Sequence, residues 1–286
     1  MSVLEFVYKE VLRPKPLKLA VNQILLALIP RQISRHGAKI VLNPRDPIIS
    51  GALTLRVYER AETKFFLRAF RPGMSFLDIG ANVGYYTALA LARRASLAIA
   101  MEPFPESFAH LQKTVAANSL GDVAHCVNRA AADRSGSATL FLNESNKGDN
   151  RLYPNDLCTT SVTVETVAVD DQLAEMGHPR IDFVKIDVQG FEGKTLAGMR
   201  HLLADSRDLL IMTEFWPHGL RAAGDDPRGV LDSLAGLGFA LYELGARGRT
   251  IPLLDNADLI KRLPGREYTN IVAIKGSSGT LGAAAI

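Results

Sequence analysis

The sequence predicts an α/β fold, a mostly parallel sheet with helices on both faces, and three observations carry that prediction. Short apolar runs alternate with amphipathic helical stretches along most of the 286 residues. Several of these runs end on an acid or an amide. A glycine-bearing loop joins the first of them to the helix that follows. Composition agrees, because 47% hydrophobic residues supply a sizeable core and 22% charged residues are usual for a folded domain.

Taken in order, the chain opens on Lys9, Arg13, Lys15 and Lys18, ahead of an apolar stretch at 19–29. Asn22 and Gln23 interrupt that stretch, and Pro30-Arg31-Gln32 ends it without a small-residue cleavage site, so secretion is not expected. A helix packed on the main body or on a second subunit of a homo-oligomer fits. So does a basic amphipathic helix (residues 1–30) making peripheral contact with an anionic membrane. Residues 1–45 therefore read as a helical, basic extension, 46–275 as the main domain and 276–286 as a flexible tail. Residues 36–57 read as short strands and turns: a strand at 39–42, a breaker at 43–47, then extended chain around Gly51. Residues 59–70 suit a helix with Phe65, Phe66, Leu67 and Phe70 on its apolar face, stopped by Arg71-Pro72-Gly73. Strands follow at 75–79, 97–101, 123–127, 181–186 and 209–213, with helices at 85–94, 107–118, 191–203 and 227–237. Two more strands, at 239–244 and 268–274, close the chain. Residues 138–169 break the rhythm and read as an insertion or hairpin beside the sheet.

Charge excludes some functions. The first 50 residues carry a net +5 and the remainder a net −2. The main body holds no basic cluster with interleaved aromatics, so nucleic acid is not an expected partner. No uninterrupted apolar run reaches 18 residues, so no membrane span is expected. Two cysteines, Cys126 and Cys158, make neither a disulfide framework nor a zinc site, and a reducing, cytoplasmic setting is expected.

The chemistry concentrates at the first strand-to-helix turn, Asp78-Ile79-Gly80-Ala81-Asn82-Val83-Gly84-Tyr85-Tyr86-Thr87. Gly80 and Gly84 allow a tight turn and close approach of a ligand. The loop lacks the third glycine of dinucleotide sites and the lysine of nucleotide-phosphate loops. Asp78 suits a ligand bearing an ammonium group. Glu102, ending the next strand, is placed to accept both hydroxyls of a ribose. One acid for an amino-acid end and one for a ribose describe S-adenosylmethionine. Asp187 and Glu214 end the fourth and fifth strands and should face the same pocket.

These segments resemble a known family. The run at 78–87, Glu102-Pro103 and Lys185-Ile186-Asp187-Val188-Gln189-Gly190-Phe191-Glu192 look like the FkbM-family methyltransferases, as do Tyr58 to Thr63 and Val169 to Leu173. The likeness covers about residues 48–274. Gln189 departs from it, standing where many members have Glu. The resemblance implies a seven-stranded class I methyltransferase sheet of Rossmann-like type with a reversed last strand. It also implies S-adenosylmethionine-dependent O-methylation of a hydroxyl on a sugar, glycan, glycolipid or secondary metabolite. Expected cofactor contacts are Glu59, Asp78, Gly80, Ala81, Asn82, Gly84, Tyr85, Tyr86, Thr87, Glu102, Pro103, Phe104, Asn128 and Ala131. Expected acceptor contacts are Asn150, Gln189 and Trp216.

Methyl transfer to oxygen needs alignment of acceptor, methyl and sulfur, and a base for the hydroxyl proton. Asp187, Glu214 and His218 are the candidate bases. Because a sugar hydroxyl is a weak acid, a Mg²⁺ ion is weighed as well, with Asp187 and Glu214 as ligands and Asn150 or Asp149 completing the set. The polar loop at 146–153 is expected to cover the pocket. Rival readings are an N- or C-methyltransferase, although the Asn/Asp-Pro-Pro-Tyr motif of many adenine and glutamine methylases is absent, and a non-catalytic S-adenosylmethionine-binding partner in a biosynthetic complex.

Overall fold

The main sheet follows from the apolar runs. A computed structural model describes residues 29–118, 123–143, 146–156 and 158–276; the N-terminal helix expected within 1–30 lies largely outside them, as does nearly all of the tail. A hairpin of β1 (Gln32–Arg35) and β2 (Ala38–Val41) comes first. Next come β3 (Ser75–Ile79), β4 (Leu97–Met101) and β5 (Ala124–Val127), then β6 (Ala130–Ala132), β7 (Gly136–Leu142) and β8 (Thr160–Ala168). The last are β9 (Phe183–Ile186), β10 (Leu209–Phe215), β11 (Ala240–Leu244), β12 (Thr250–Pro252) and β13 (Thr269–Lys275). The main sheet runs β12-β11-β13-β10-β9-β3-β4-β5. Its five strands from β10 to β5 are mutually parallel, and β13 is inserted antiparallel between β10 and β11. Every residue of β3 and β9 is buried, which is why they read as continuous apolar runs without alternation.

The sheet has eight strands where seven were expected. The addition, β12, is a three-residue strand returning against β11. A turn closed by the Gly245 N–H donating to the Arg249 carbonyl at 2.8 Å makes that return. The expected insertion holds the hairpin of β7 and β8, and β6, which precedes it at Ala130–Ala132, joins them in a separate three-stranded sheet, β6-β8-β7.

Two local expectations change. Residues 48–57 are not extended, because a helix occupies Pro47–Thr54. Asp46 caps it, accepting from the Ile48 and Ile49 N–H groups at 3.2 and 3.1 Å, and Pro47 fills the first turn. What looked like a breaker is a helix start, where a capping acid and an N1 proline outweigh the β-branched pair Ile48-Ile49. The helix expected at 191–203 is two, Glu192–Ala197 and Arg200–Asp205. The chain breaks at Gly198, where a Cβ would lie 2.0 Å from the Ala132 carbonyl oxygen.

Two apolar layers cover the sheet. One gathers Leu77, Ile99, Val184 and Ile211 with the helices at 192–205 and 227–236. The other stacks Phe65, Phe66 and Phe70 on Phe76 and Phe183. The hairpin residues Ile33, Ala38 and Ile40, N-terminal to residue 45, belong to that second layer. With both faces covered, the open end of the sheet, at the carboxyl ends of the parallel strands, is where a ligand has room.

Candidate active site

A pocket of about 620 Å³ opens at that end. Its floor is the β3 loop. The Gly80 and Ala81 N–H groups both donate to the Met101 carbonyl at 3.0 Å, which ties the loop to the end of β4. Gly80 has φ +80°, and a Cβ there would stand 1.9 Å from the Asp187 carbonyl oxygen. At Gly84, φ +82°, a Cβ would stand 2.7 Å from Leu111 Cδ1. Expected to allow both a tight turn and close approach of a ligand, the two glycines have protein as their close neighbours. Gly80 seats the loop on the end of β9, and Gly84 lets two helices pack.

Glu102 is buried, 7% exposed, and borders the pocket. One carboxylate oxygen accepts from the Asn82 N–H at 2.9 Å and the other from the Phe104 N–H at 2.8 Å. Burial pushes its pKa up to about 7 against the pull of those two amides. Asn128 clamps the turn below, donating to the Glu102 and Pro103 carbonyls at 2.8 and 3.1 Å.

A second group of acids surrounds Lys185. Sheet register pairs Lys185 with Asp78 on one side and Met212 on the other, so its side chain shares a face with Asp78. The ammonium donates to Asp187 Oδ2 at 3.0 Å and lies 4.9 Å from the Tyr86 ring centroid. Gln189 Nε2 donates to Asp187 Oδ1 at 2.8 Å, so both oxygens of this carboxylate are oriented. Burial alone would lower the lysine's pKa, but Asp187, Glu59 and Asp78 outweigh it and hold the pKa raised. Asp78 itself is 1% exposed, and its Oδ2 accepts from the Thr87 N–H and hydroxyl at 3.0 and 2.6 Å. Burial, first of all, raises Asp78, Glu59 and Glu214, and it pushes Glu192 up to about 7.

The insertion forms the roof. The Arg151 guanidinium is ion-paired with Asp149 at 2.6 Å and lies over the Trp216 ring, 4.6 Å from its centroid. Gly219 packs under the same indole, where a Cβ would meet Trp216 Cε3 at 2.2 Å. The Trp216 indole N–H is buried and makes no hydrogen bond among the described residues. Lys147, paired with Glu106 at 2.6 Å, and Asn150 also line this wall. Three non-glycine residues with positive φ border the pocket: Glu59 at 36°, Asn82 at 50° and Gln189 at 54°. Left-handed backbone at such residues is costly and gathers at functional sites.

Of the expected cofactor contacts, Glu59, Gly80, Asn82, Glu102, Pro103 and Ala131 line the pocket. Asp78, Ala81, Gly84, Tyr85, Tyr86, Thr87, Phe104 and Asn128 do not; several of them build the floor from beneath. Asp187, Glu214, Asn150, Gln189 and Trp216 line it. His218 does not, being exposed on the helix Pro217–Ala222. The Mg²⁺ reading does not fit the donor set. Among the described residues no group of three or more His, Cys, Asp or Glu side chains could hold a metal ion. Asp149 is paired with Arg151, Asn150 Oδ1 accepts from the Asn143 N–H at 3.0 Å, and the Lys185 ammonium sits on Asp187. Arg151 and Tyr268 were not singled out from sequence: nothing local marks a loop cation destined for an indole face, nor a strand-edge tyrosine destined for the mouth. No helix among the described residues is long and apolar enough to cross a membrane.

Residues 78–241 match the family described as methyltransferase FkbM domain. Among solved structures, the chain is similar to an FkbM methyltransferase from Methylobacillus flagellatus KT, at 12% identity and a TM-score of 0.44, covering 89% of this chain and 58% of that one. The chain thus spans little more than half the length of that relative. It is also similar to an O-methyltransferase from Bacillus cereus in complex with SAH, at 13% identity and TM-score 0.42, covering 95% and 96%. A third is the magnesium protoporphyrin IX methyltransferase of Synechocystis PCC 6803 with bound SAM, at 12% identity and TM-score 0.44, covering 80% and 84%. No curated protein matches the chain.

Proposed function

The chain belongs to the FkbM methyltransferase family, and from that premise we propose that it moves a methyl group from S-adenosylmethionine to a hydroxyl of a sugar, glycan, glycolipid or secondary metabolite. One observation carries the reading: the Gly80–Asn82 loop, Glu102 and Asp187, from three adjacent strand ends, border a single pocket. Bound there, the cofactor supplies an electrophilic methyl on a sulfonium.

The residues present fit such a ligand. The Gly80–Asn82 loop borders the pocket as its floor, and Glu102, already fixed by two amides, keeps lone pairs for a pair of ribose hydroxyls. The buried carboxyls around Lys185 suit a cation. Asp187 is the base or orienting acceptor for the hydroxyl. Lys185 and Gln189 fix its rotamer, which lowers the cost of reaching a reactive geometry. Lys147, Asn150 and Trp216 form the wall that receives the acceptor, with Arg151 stacked on the indole.

The test is calorimetric titration with S-adenosylmethionine, followed by label transfer from methyl-labelled cofactor to hydroxylated and to amine-bearing acceptors. Binding, with label entering only hydroxylated acceptors, supports the reading. Binding with no transfer to any acceptor class favours a non-catalytic role, and label in amines alone overturns the choice of oxygen.

A further inference from the structure

Behind the acid-lined end of the pocket lies a second, smaller cavity of about 60 Å³. Glu59, Asp187 and Glu214 border both spaces, so these three carboxyls form the partition between them, and Tyr268 borders both nearer the surface. Glu62, Lys185 and Asn270 complete the polar wall of the small cavity, with Asn270 donating to Glu62 at 2.7 Å. A polar space of that size has room for water. Among the described residues, four carboxyls face it against one ammonium, that of Lys185, which is committed to Asp187. Glu59 Oε2 is buried without a partner, and the Glu214 carboxyl makes no hydrogen bond among the described residues.

We propose that Glu214 and the cavity behind it are the proton store of the site. Glu214 releases a proton when a sulfonium-bearing ligand binds, and it takes up the acceptor's hydroxyl proton, passed on by Asp187, as the methyl group leaves sulfur. The inference rests on the function proposed above. The C–S bond breaks with its electron pair left on sulfur, and the new C–O bond uses a lone pair of the acceptor oxygen. The hydroxyl proton ends on a carboxylate. A sulfonium and a carboxylate become a sulfide and a carboxylic acid, so the net charge of the buried site does not change. That matters because uncompensated charge is expensive where water is excluded.

The surroundings of Glu214 agree. Burial, followed by the Asp187, Glu192 and Glu59 carboxylates, holds its carboxyl well above the usual range, and Lys185 alone pulls the other way. Glu62 lies across the cavity, and the Tyr268 hydroxyl senses Glu214 in turn. An added cation acts in the same sense as Lys185 and favours the ionised form.

Calorimetry of the full chain with S-adenosylmethionine and with S-adenosylhomocysteine, in buffers of different ionisation enthalpy at about pH 6.5, counts the protons exchanged. That pH lies below the usual α-amino range of about 7.7–8.0, so both ligands enter as ammonium forms. Glu102 contributes equally to both, because both carry the ribose. The expected result is release of on the order of one proton more with the sulfonium ligand than with the sulfide. Glu214→Gln should bind the cofactor without that difference, and Glu214→Asp should keep it. Equal release by the two ligands in the wild type, or a difference that survives in Glu214→Gln, overturns the proposal. The wild-type comparison decides even where the Gln variant does not fold. Failure of both ligands to bind would instead overturn the cofactor reading, and this inference with it.

Discussion

The pocket carries acids at two ends, Glu102 buried at one and Asp187 and Glu214 half-buried at the other, and they are held in opposite ways. At the end of β4, main chain fixes Glu102, one amide to each oxygen. At the ends of β9 and β10, side chains hold the acids: Lys185 and Gln189 fix Asp187, while the Glu214 carboxyl has no hydrogen-bond partner among the described residues. Backbone amides cannot be titrated or rotated away, so the first arrangement suits recognition of a fixed shape. The second has one cation among several carboxyls, and its protonation follows whatever charge enters. Under the proposed function, binding falls to the first end and proton chemistry to the second.

The largest effect that could break this division is expected at Lys185. Lys185→Met leaves the Asp78, Asp187 and Glu59 carboxyls without their cation, and removing one partner of a buried pair costs about 3–5 kcal/mol. Urea unfolding at pH 7 measures it. A loss under about 1 kcal/mol at pH 7 would mean that Lys185 does not hold the cluster together.

Asp187→Asn comes next. Turnover should fall by about 10²-fold or more, a usual general-base contribution, with cofactor affinity within a few fold. Near-normal turnover in a folded variant would leave Asp187 only structural.

At the other end, Glu102→Ala should weaken S-adenosylmethionine by about 1.5–3 kcal/mol, the worth of charge-assisted hydrogen bonds. If turnover at saturating cofactor falls as far as it does in Asp187→Asn, the division between binding and chemistry fails.

The mildest expectation concerns pH. Glu102 and Glu192 are pushed up to about 7 by burial, from an ordinary value of 4.5. Between those values the folded state holds protons that the unfolded state has lost. Their contribution to stability is therefore complete below about 4.5 and is lost as pH rises through about 7. Thermal melts of the ligand-free protein should show this decline, less steep in Glu102→Gln. Ribose hydroxyls donate to the ionised carboxylate, so cofactor affinity should rise over the same range. A flat affinity profile would detach Glu102 from the ribose.

The sequence by itself determined the α/β alternation, the loop from Asp78 to Gly84 and the acids ending β4, β9 and β10. These are local properties: apolar runs set the strands, and the residues just past a strand's carboxyl end are carried to the open edge of the sheet. It misjudged residues 48–57, where the capping pattern of Asp46-Pro47 is as local as the apolar run that masked it. Only the tertiary structure decided the rest. Gly80 is needed because the Asp187 carbonyl, a hundred residues on, passes where its Cβ would be. Register between β3 and β9 sets Lys185 beside Asp78, and the roof folds Arg151 onto Trp216. His218, two residues beyond a pocket-lining tryptophan, faces outward because a helix begins between them. Burial and pairing of charge depend on which distant segments meet, and no spacing along the chain encodes that meeting.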